Sequence, residues 1–257
     1  MKNRLTLAIL SAALLSTGAH AEDQAAAPAA PTPDWTFPGS VSIANDYIFR
    51  GLTQTNTEPA LQAGIEIDHA SGFYVGTWGS NINWLHDYVP AVSSSLEIDI
   101  YGGYRTKIAD TIGLDVGLYE YYYPGDYPGP HVDYKLPYTL EGYVALSYSF
   151  VSLKYSHTFT NLFGFAGTKH SGYLDLSANY EFVPTWVLNA HIGRQKVDGF
   201  SAASYTDYKL GVTKNFDGGW SLAVAYYDTN ADKAVYTFPD GTFQGRSTGV
   251  ASLTKTF

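Results

Sequence analysis

Cysteine is absent from the 257 residues, so no disulfide can form and no lipid-anchored N-terminal cysteine can be made. Methionine occurs only as Met1. Charged residues make up 15%, against roughly a quarter in an average soluble protein. Lys and Arg number 15 against 24 Asp and Glu, a formal net charge of −9. That balance, with no basic cluster, argues against a nucleic-acid partner. No segment after the N-terminus approaches eighteen apolar residues, so a transmembrane helix is not expected. Long helical periodicity is missing as well.

Aromatic residues are abundant: 22 Tyr, 13 Phe and 5 Trp. The N-terminus reads "MKNRLTLAILSAALLSTGAHA". Lys2 and Arg4, a short apolar run and the small-residue site ending at Ala21 predict a cleaved signal peptide over 1–21. Removal of Lys2 and Arg4 would leave 15 − 2 = 13 bases against 24 acids, or 13 − 24 = −11. Residues 22–38, rich in Ala and Pro, are expected to be an extended periplasmic linker.

From 39 to 257 apolar residues alternate with polar or small ones, the period of a half-buried strand. Val41, Ile43, Tyr47 and Phe49 share one parity. Ser42, Ala44, Asp46 and Arg50 share the other. Twelve such runs are predicted: 39–51, 59–69, 72–82, 94–106, 110–122, 138–150, 151–161, 171–182, 186–196, 204–216, 219–229 and 247–257. Short connections ("HASG", "KIAD", "VPT", "DGG") alternate with long ones. This asymmetry is the layout of an all-β, antiparallel up-and-down transmembrane β-barrel, short turns in the periplasm and long loops outside.

A soluble sandwich or closed barrel has the same alternation. Three features favour the membrane. At the short-turn end the apolar parity carries Phe73, Tyr104, Phe150, Phe182, Trp186, Phe216, Trp220 and Phe257, an aromatic girdle for a lipid interface. Lys214 and Lys255 interrupt that parity only where a long stem can reach headgroups. The terminal Phe257 resembles the signal read by the outer-membrane barrel assembly machinery, although Lys255 departs from the apolar residue usual at that place. The expected setting is therefore outer-membrane lipid, after export through the periplasm.

The polar parity then faces the lumen. Its acids are Asp46, Glu66, Asp68, Glu97, Asp99, Asp115, Glu141, Asp175, Glu181 and Asp207. Its bases are Arg50, Arg105, Lys154 and Lys209. With Gln62 and Trp78, the charged positions are candidates to line a pore. Acidic rings favour cations, so a cation-preferring passage for small hydrophilic solutes is expected. The bland alternative is that these charges pair across strands and hold the barrel's shape. Arg50, near Glu58 and Gln62 in sequence, reads in that sense as a pin for the first hairpin. Inner glycines such as Gly64, Gly76 and Gly193 would keep space open, and Trp78 and Tyr74 could stack over Gly76.

"DYIFRGLTQ", "PALQAG", "GFYVGTWGSN" and "EIDIYGGY", within residues 45–104, resemble the signature run of the TorF family of porins, a proteobacterial outer-membrane family. The resemblance implies an outer-membrane barrel and a porin-like role. It marks Asp46, Tyr47, Arg50, Gly51, Gln54, Pro59, Gln62, Gly76, Trp78, Ser80, Asn81, Glu97 and Asp99.

Other classes have weaker support. His157 and Ser156 lie on opposite parities, which defeats a lipid-facing hydrolase dyad. His86-Asp87, His131 and Asp133 lack the spacing of a protease or a metal centre. No catalysis, metal or cofactor is expected. A non-conducting barrel, adhesive or structural, remains the alternative, with loop 123–137 as its recognition surface. A homo-oligomer is compatible with the sequence, which marks no subunit surface.

Overall fold

The computed structural model describes residues 34–128 and 136–257. The expected signal peptide, most of the linker, His131 and Asp133 lie outside them. The described chain enters on β1 (Trp35–Thr36) and β2 (Gly39–Ala44). It leaves the wall for two short strands, β3 (Ile48–Phe49) and β4 (Leu52–Thr53), and returns as β5 (Ala60–His69). Ten further strands run up and down: β6 (Phe73–Asn81), β7 (Leu96–Ala109), β8 (Ile112–Tyr122), β9 (Thr139–Tyr148), β10 (Val151–Thr158), β11 (Gly172–Val183), β12 (Trp186–Lys196), β13 (Tyr205–Phe216), β14 (Trp220–Thr229) and β15 (Thr248–Thr256).

Each long strand pairs antiparallel with the next, and β15 closes the ring on β2. Twelve strands therefore form one barrel without a free edge, which satisfies every ladder group in a solvent that offers no hydrogen bonds. At the seam Gly39 and Phe257 exchange both backbone bonds at 3.0 Å. β1 continues β2 in the same register on β5: Thr36 faces Asp68 and Gly39 faces Ile65. Pro38, which has no N–H to give, separates them, and its carbonyl still accepts from Glu66 N at 2.9 Å.

Ile43, Leu61, Ile65, Ile100, Leu118, Leu210 and Val224 stand exposed on the outside, as does a continuous apolar surface on every long strand. Such a band belongs in lipid. Phe73, Phe150, Phe182, Trp186, Phe216, Trp220 and Phe257 are exposed at the short-turn end, and Tyr104, half-buried, packs on Phe73 with ring centroids 4.9 Å apart. Lys214 Nζ turns to Thr185 Oγ1 and Lys255 Nζ to Gly218 O. Both amines thus lean past the strand ends toward the turns, the direction snorkelling requires.

Two local expectations need correction. Alternation through 39–51 predicts one strand, but the wall strand stops at Ala44. Asp46 Oδ1 accepts from Thr53 Oγ1 at 2.6 Å and Thr55 Oγ1 at 3.1 Å, which folds residues 45–55 into a compact hairpin inside the ring. The inner glycines also do not hold space open. The Tyr101 ring, from the neighbouring strand, lies over Gly76, and Tyr173 lies over Gly193, so closely that a Cβ at either glycine would overlap it. Trp78 packs edge-on against Tyr47 instead, centroids 5.4 Å apart.

Candidate functional site

The β3–β4 hairpin crosses the lumen to the far wall. Its tip is Arg50-Gly51, both with positive φ (47° and 78°). A Cβ on Gly51 would sit 2.5 Å from Asp207 Cβ on β13, so only glycine brings the tip this close. Arg50 Nη2 donates to Glu141 Oε2 on β9 at 2.7 Å, and Nη1 to Gln195 Oε1 on β12 at 2.9 Å. The guanidinium lies 4.3 Å from the Tyr173 ring centre on β11 and 4.9 Å from that of Phe49. Arg50 is therefore not a pin on Glu58 and Gln62. Its side chain, 7% exposed, and that of Glu141, 2% exposed, form a buried ion pair in the middle of the barrel.

Three further inward groups surround this constriction. Toward the short-turn end, Arg105 bonds Glu66 through both Nη atoms and Asp115 through Nε at 3.3 Å, with Asp68 at 3.5 Å. It also stacks on Tyr74, 3.6 Å from the ring centre. Tyr74 bonds Asp115 Oδ1 at 2.6 Å and meets the Tyr143 hydroxyl. Lys154 sits 4.0 Å from the Tyr143 ring centre, across from Asp175 in the ladder. On the opposite wall His191 bridges Asp175 (3.1 Å from Nδ1) and Asp207 (2.8 Å from Nε2), while Tyr173 donates to Asp207 at 2.9 Å.

The third group has no base. Glu97 and Asp99 are buried within hydrogen-bond reach of each other. Their partners are hydroxyls: Tyr47 to Glu97 at 3.4 Å and Tyr119 to Asp99 at 2.7 Å. The inner surface over β6–β9 is thus packed with tyrosines and acids. The inner surface of β11–β14 is different: Asp175, Ser177, Asn189, Lys209 and Tyr227 are half-buried and Asn179 and Glu181 exposed. Water reaches that side. Gln62, on β5, is also half-buried.

Sequence parity places Glu66, Asp68, Trp78, Glu97, Asp99, Arg105, Asp115, Glu141, Lys154, Asp175 and Glu181 on one face; their contacts gather all of them but Glu181 inside the ring, and Glu181, exposed, accepts from Thr185 N in the β11–β12 turn at 2.8 Å. Parity does not reveal that most are buried against one another. Asp46 belongs to the hairpin rather than the wall. A count of charges omits tyrosine, glutamine and neutral histidine, and with them Tyr173, His191 and Gln195, which complete the constriction. Their inward parity within 171–182 and 186–196 was the available signal. Ser156 is buried and His157 half-buried, on opposite faces of β10.

Residues 26–257 match a family model described as "Bacterial protein of unknown function (Gcw_chp)". The chain belongs to the Gcw_chp family. The match carries that name and does not establish the TorF resemblance. No curated protein matches this Gcw_chp chain. Among solved structures it is similar to the KdgM porin, with TM-score 0.53 and 9% identity over 86% of this chain and 97% of that one. It is also similar to the NanC porin, with TM-score 0.52 and 11% identity over 86% and 99%. An outer membrane channel from Pseudomonas putida F1 gives TM-score 0.50 and 13% identity over 88% and 97%. At these identities the likeness is one of fold.

Proposed function

We propose that this Gcw_chp protein is a porin-like channel of the outer membrane that passes small hydrophilic solutes or ions by diffusion. The observation that carries this reading is the Arg50 hairpin. A loop folded into the lumen from the long-loop end narrows a closed barrel whose β11–β14 side stays in contact with water. The apolar outer band and aromatic girdle support an outer-membrane setting. Export would remove residues 1–21, and Phe257 would present the last strand to the assembly machinery. A homo-oligomer fits the same reading.

We also propose a modest cation preference, on narrower ground than a count of acids. Glu66, Asp68 and Asp115 are spent on Arg105, Glu141 on Arg50, and Asp175 and Asp207 on His191. The water-exposed excess is Glu181, near the β11–β12 turn, where its carboxylate accepts from Thr185 N at 2.8 Å; Lys209 lies on the same side at the level of His191. Single-channel recording in a planar bilayer under a salt gradient tests both points. Stepwise conductance with a cation-selective reversal potential is expected, and Glu181→Lys should move that potential toward anions. Silence from a folded barrel would favour the second reading, a non-conducting adhesive or structural barrel. That reading draws on the packed β6–β9 half of the lumen and the buried Arg50–Glu141 pair.

A further inference from the structure

A cavity of about 320 Å³ lies on the long-loop side of the Arg50 hairpin. Phe49, Trp84, Tyr88, Tyr123, Phe163 and Tyr236 supply its rings, and Arg50 reaches it from below. The volume is at the lower end of the ~300–1,000 Å³ typical of small-molecule sites, and the lining is the usual one: apolar walls with a few placed polar groups.

Two donors at this cavity, one of them buried, lack acceptors. Trp84 Nε1 is buried and has none among the described residues. Arg50 uses one bond from each Nη, and its Nε–H has no acceptor among the described residues. A guanidinium offers five N–H groups, so capacity remains. The same barrel shows what such capacity accepts: Arg105 holds Glu66, Asp68 and Asp115 together. Arg50 holds a single carboxylate, Glu141. The ring-lined walls take flat apolar faces, and the unused donors take an anionic oxygen.

We propose that this cavity binds an aryl carboxylate, its carboxylate on Arg50 and Trp84 and its rings among the aromatic walls. The proposal rests on the channel reading and specifies it: the ligand would dock on the outer side of the constriction before passage.

The test is calorimetric titration of the refolded full-length barrel in detergent with biphenyl-4-carboxylate, beside the neutral biphenyl-4-carboxamide and the hydrophilic acid gluconate. Saturable binding of the carboxylate is expected, with at least tenfold weaker binding of both comparators. Ala166→Trp, at the exposed rim, should weaken it by a similar factor while the barrel stays folded, and Arg50→Gln should abolish the difference between acid and amide. Equal binding of acid and amide, equal binding of gluconate, or no effect of Ala166→Trp would overturn the proposal, micelle partitioning being the common cause. Bilayer recording of the same preparation separates the two claims. Conductance without carboxylate binding rejects this site and leaves the channel. Carboxylate binding without conductance keeps the site and rejects the channel.

Discussion

Replacing Gly51 by alanine should lift the hairpin out of the lumen while leaving the barrel intact. Gly51 has φ of 78°, where a Cβ is strained, and the added carbon would lie 2.5 Å from Asp207 Cβ and 3.3 Å from Thr229 Cβ. Carbon atoms pack at about 3.5–4.0 Å, so the tip must retreat by roughly 1 Å or more. Left-handed backbone costs a non-glycine residue about 1 kcal/mol, and overpacking a tight site costs ~1–3 kcal/mol. The sum, about 2–4 kcal/mol, raises the undocked fraction about 30- to 1,000-fold, since each ~1.4 kcal/mol is tenfold. Trypsin reads this directly, because the bond after Arg50 is a substrate that the docked hairpin hides. With opening fast relative to cleavage, the rate of appearance of a new N-terminus at residue 51 follows the open population. Mass spectrometry isolates that cut from those at loop lysines. Gly218→Ala is the control: it has the same backbone hand (φ 72°) but nothing within 4 Å of its added carbon, and it lies in the β13–β14 turn. A cleavage rate at Arg50 within a factor of about three of wild type, less than ~1 kcal/mol by the same conversion, would refute the docked hairpin.

Other outcomes follow from the inward groups. Arg105→Gln leaves Asp115, which is fully buried, and Glu66 without their cation. The loss should be about 2–3 kcal/mol in urea unfolding, below the ~3–5 of a fully enclosed pair because Arg105 is 28% exposed. Glu97→Gln combined with Asp99→Asn should leave the reversal potential unchanged, since these acids touch tyrosines rather than water. The same pair of changes should raise the unfolding free energy in urea by about 1–3 kcal/mol, because it removes uncompensated buried carboxyls. Glu141→Gln should cost less than Arg50→Ala in the same unfolding assay. The amide still accepts from Arg50, whereas the alanine strands a buried carboxylate.

Much of this architecture is legible in local pattern. Period-two alternation located eleven of the wall strands closely and assigned the inward and outward faces, because a strand that separates lipid from lumen must alternate at every step. The same rule misled at residues 45–51. "NDYIFRG" alternates as a strand does, yet the threonines at 53 and 55 capture Asp46 and turn the segment inward. Loop threonines carry no periodic signal, so nothing local separates this hairpin from a longer wall strand.

The sequence by itself determined the barrel: strand number, facing, the exposed aromatics at the short-turn end and the placement of short and long connections, all consequences of one solvent on each side of the wall. Only the tertiary structure decided the constriction. Ring closure brings Arg50 to Glu141, 91 residues away, and to Gln195, 145 residues away. Ladder register then sets Asp175 opposite Gly193 and Gly193 opposite Asp207, with His191 between the two carboxylates. Those contacts depend on barrel curvature and on which rungs face each other across the lumen, quantities that a count of inward charges does not contain.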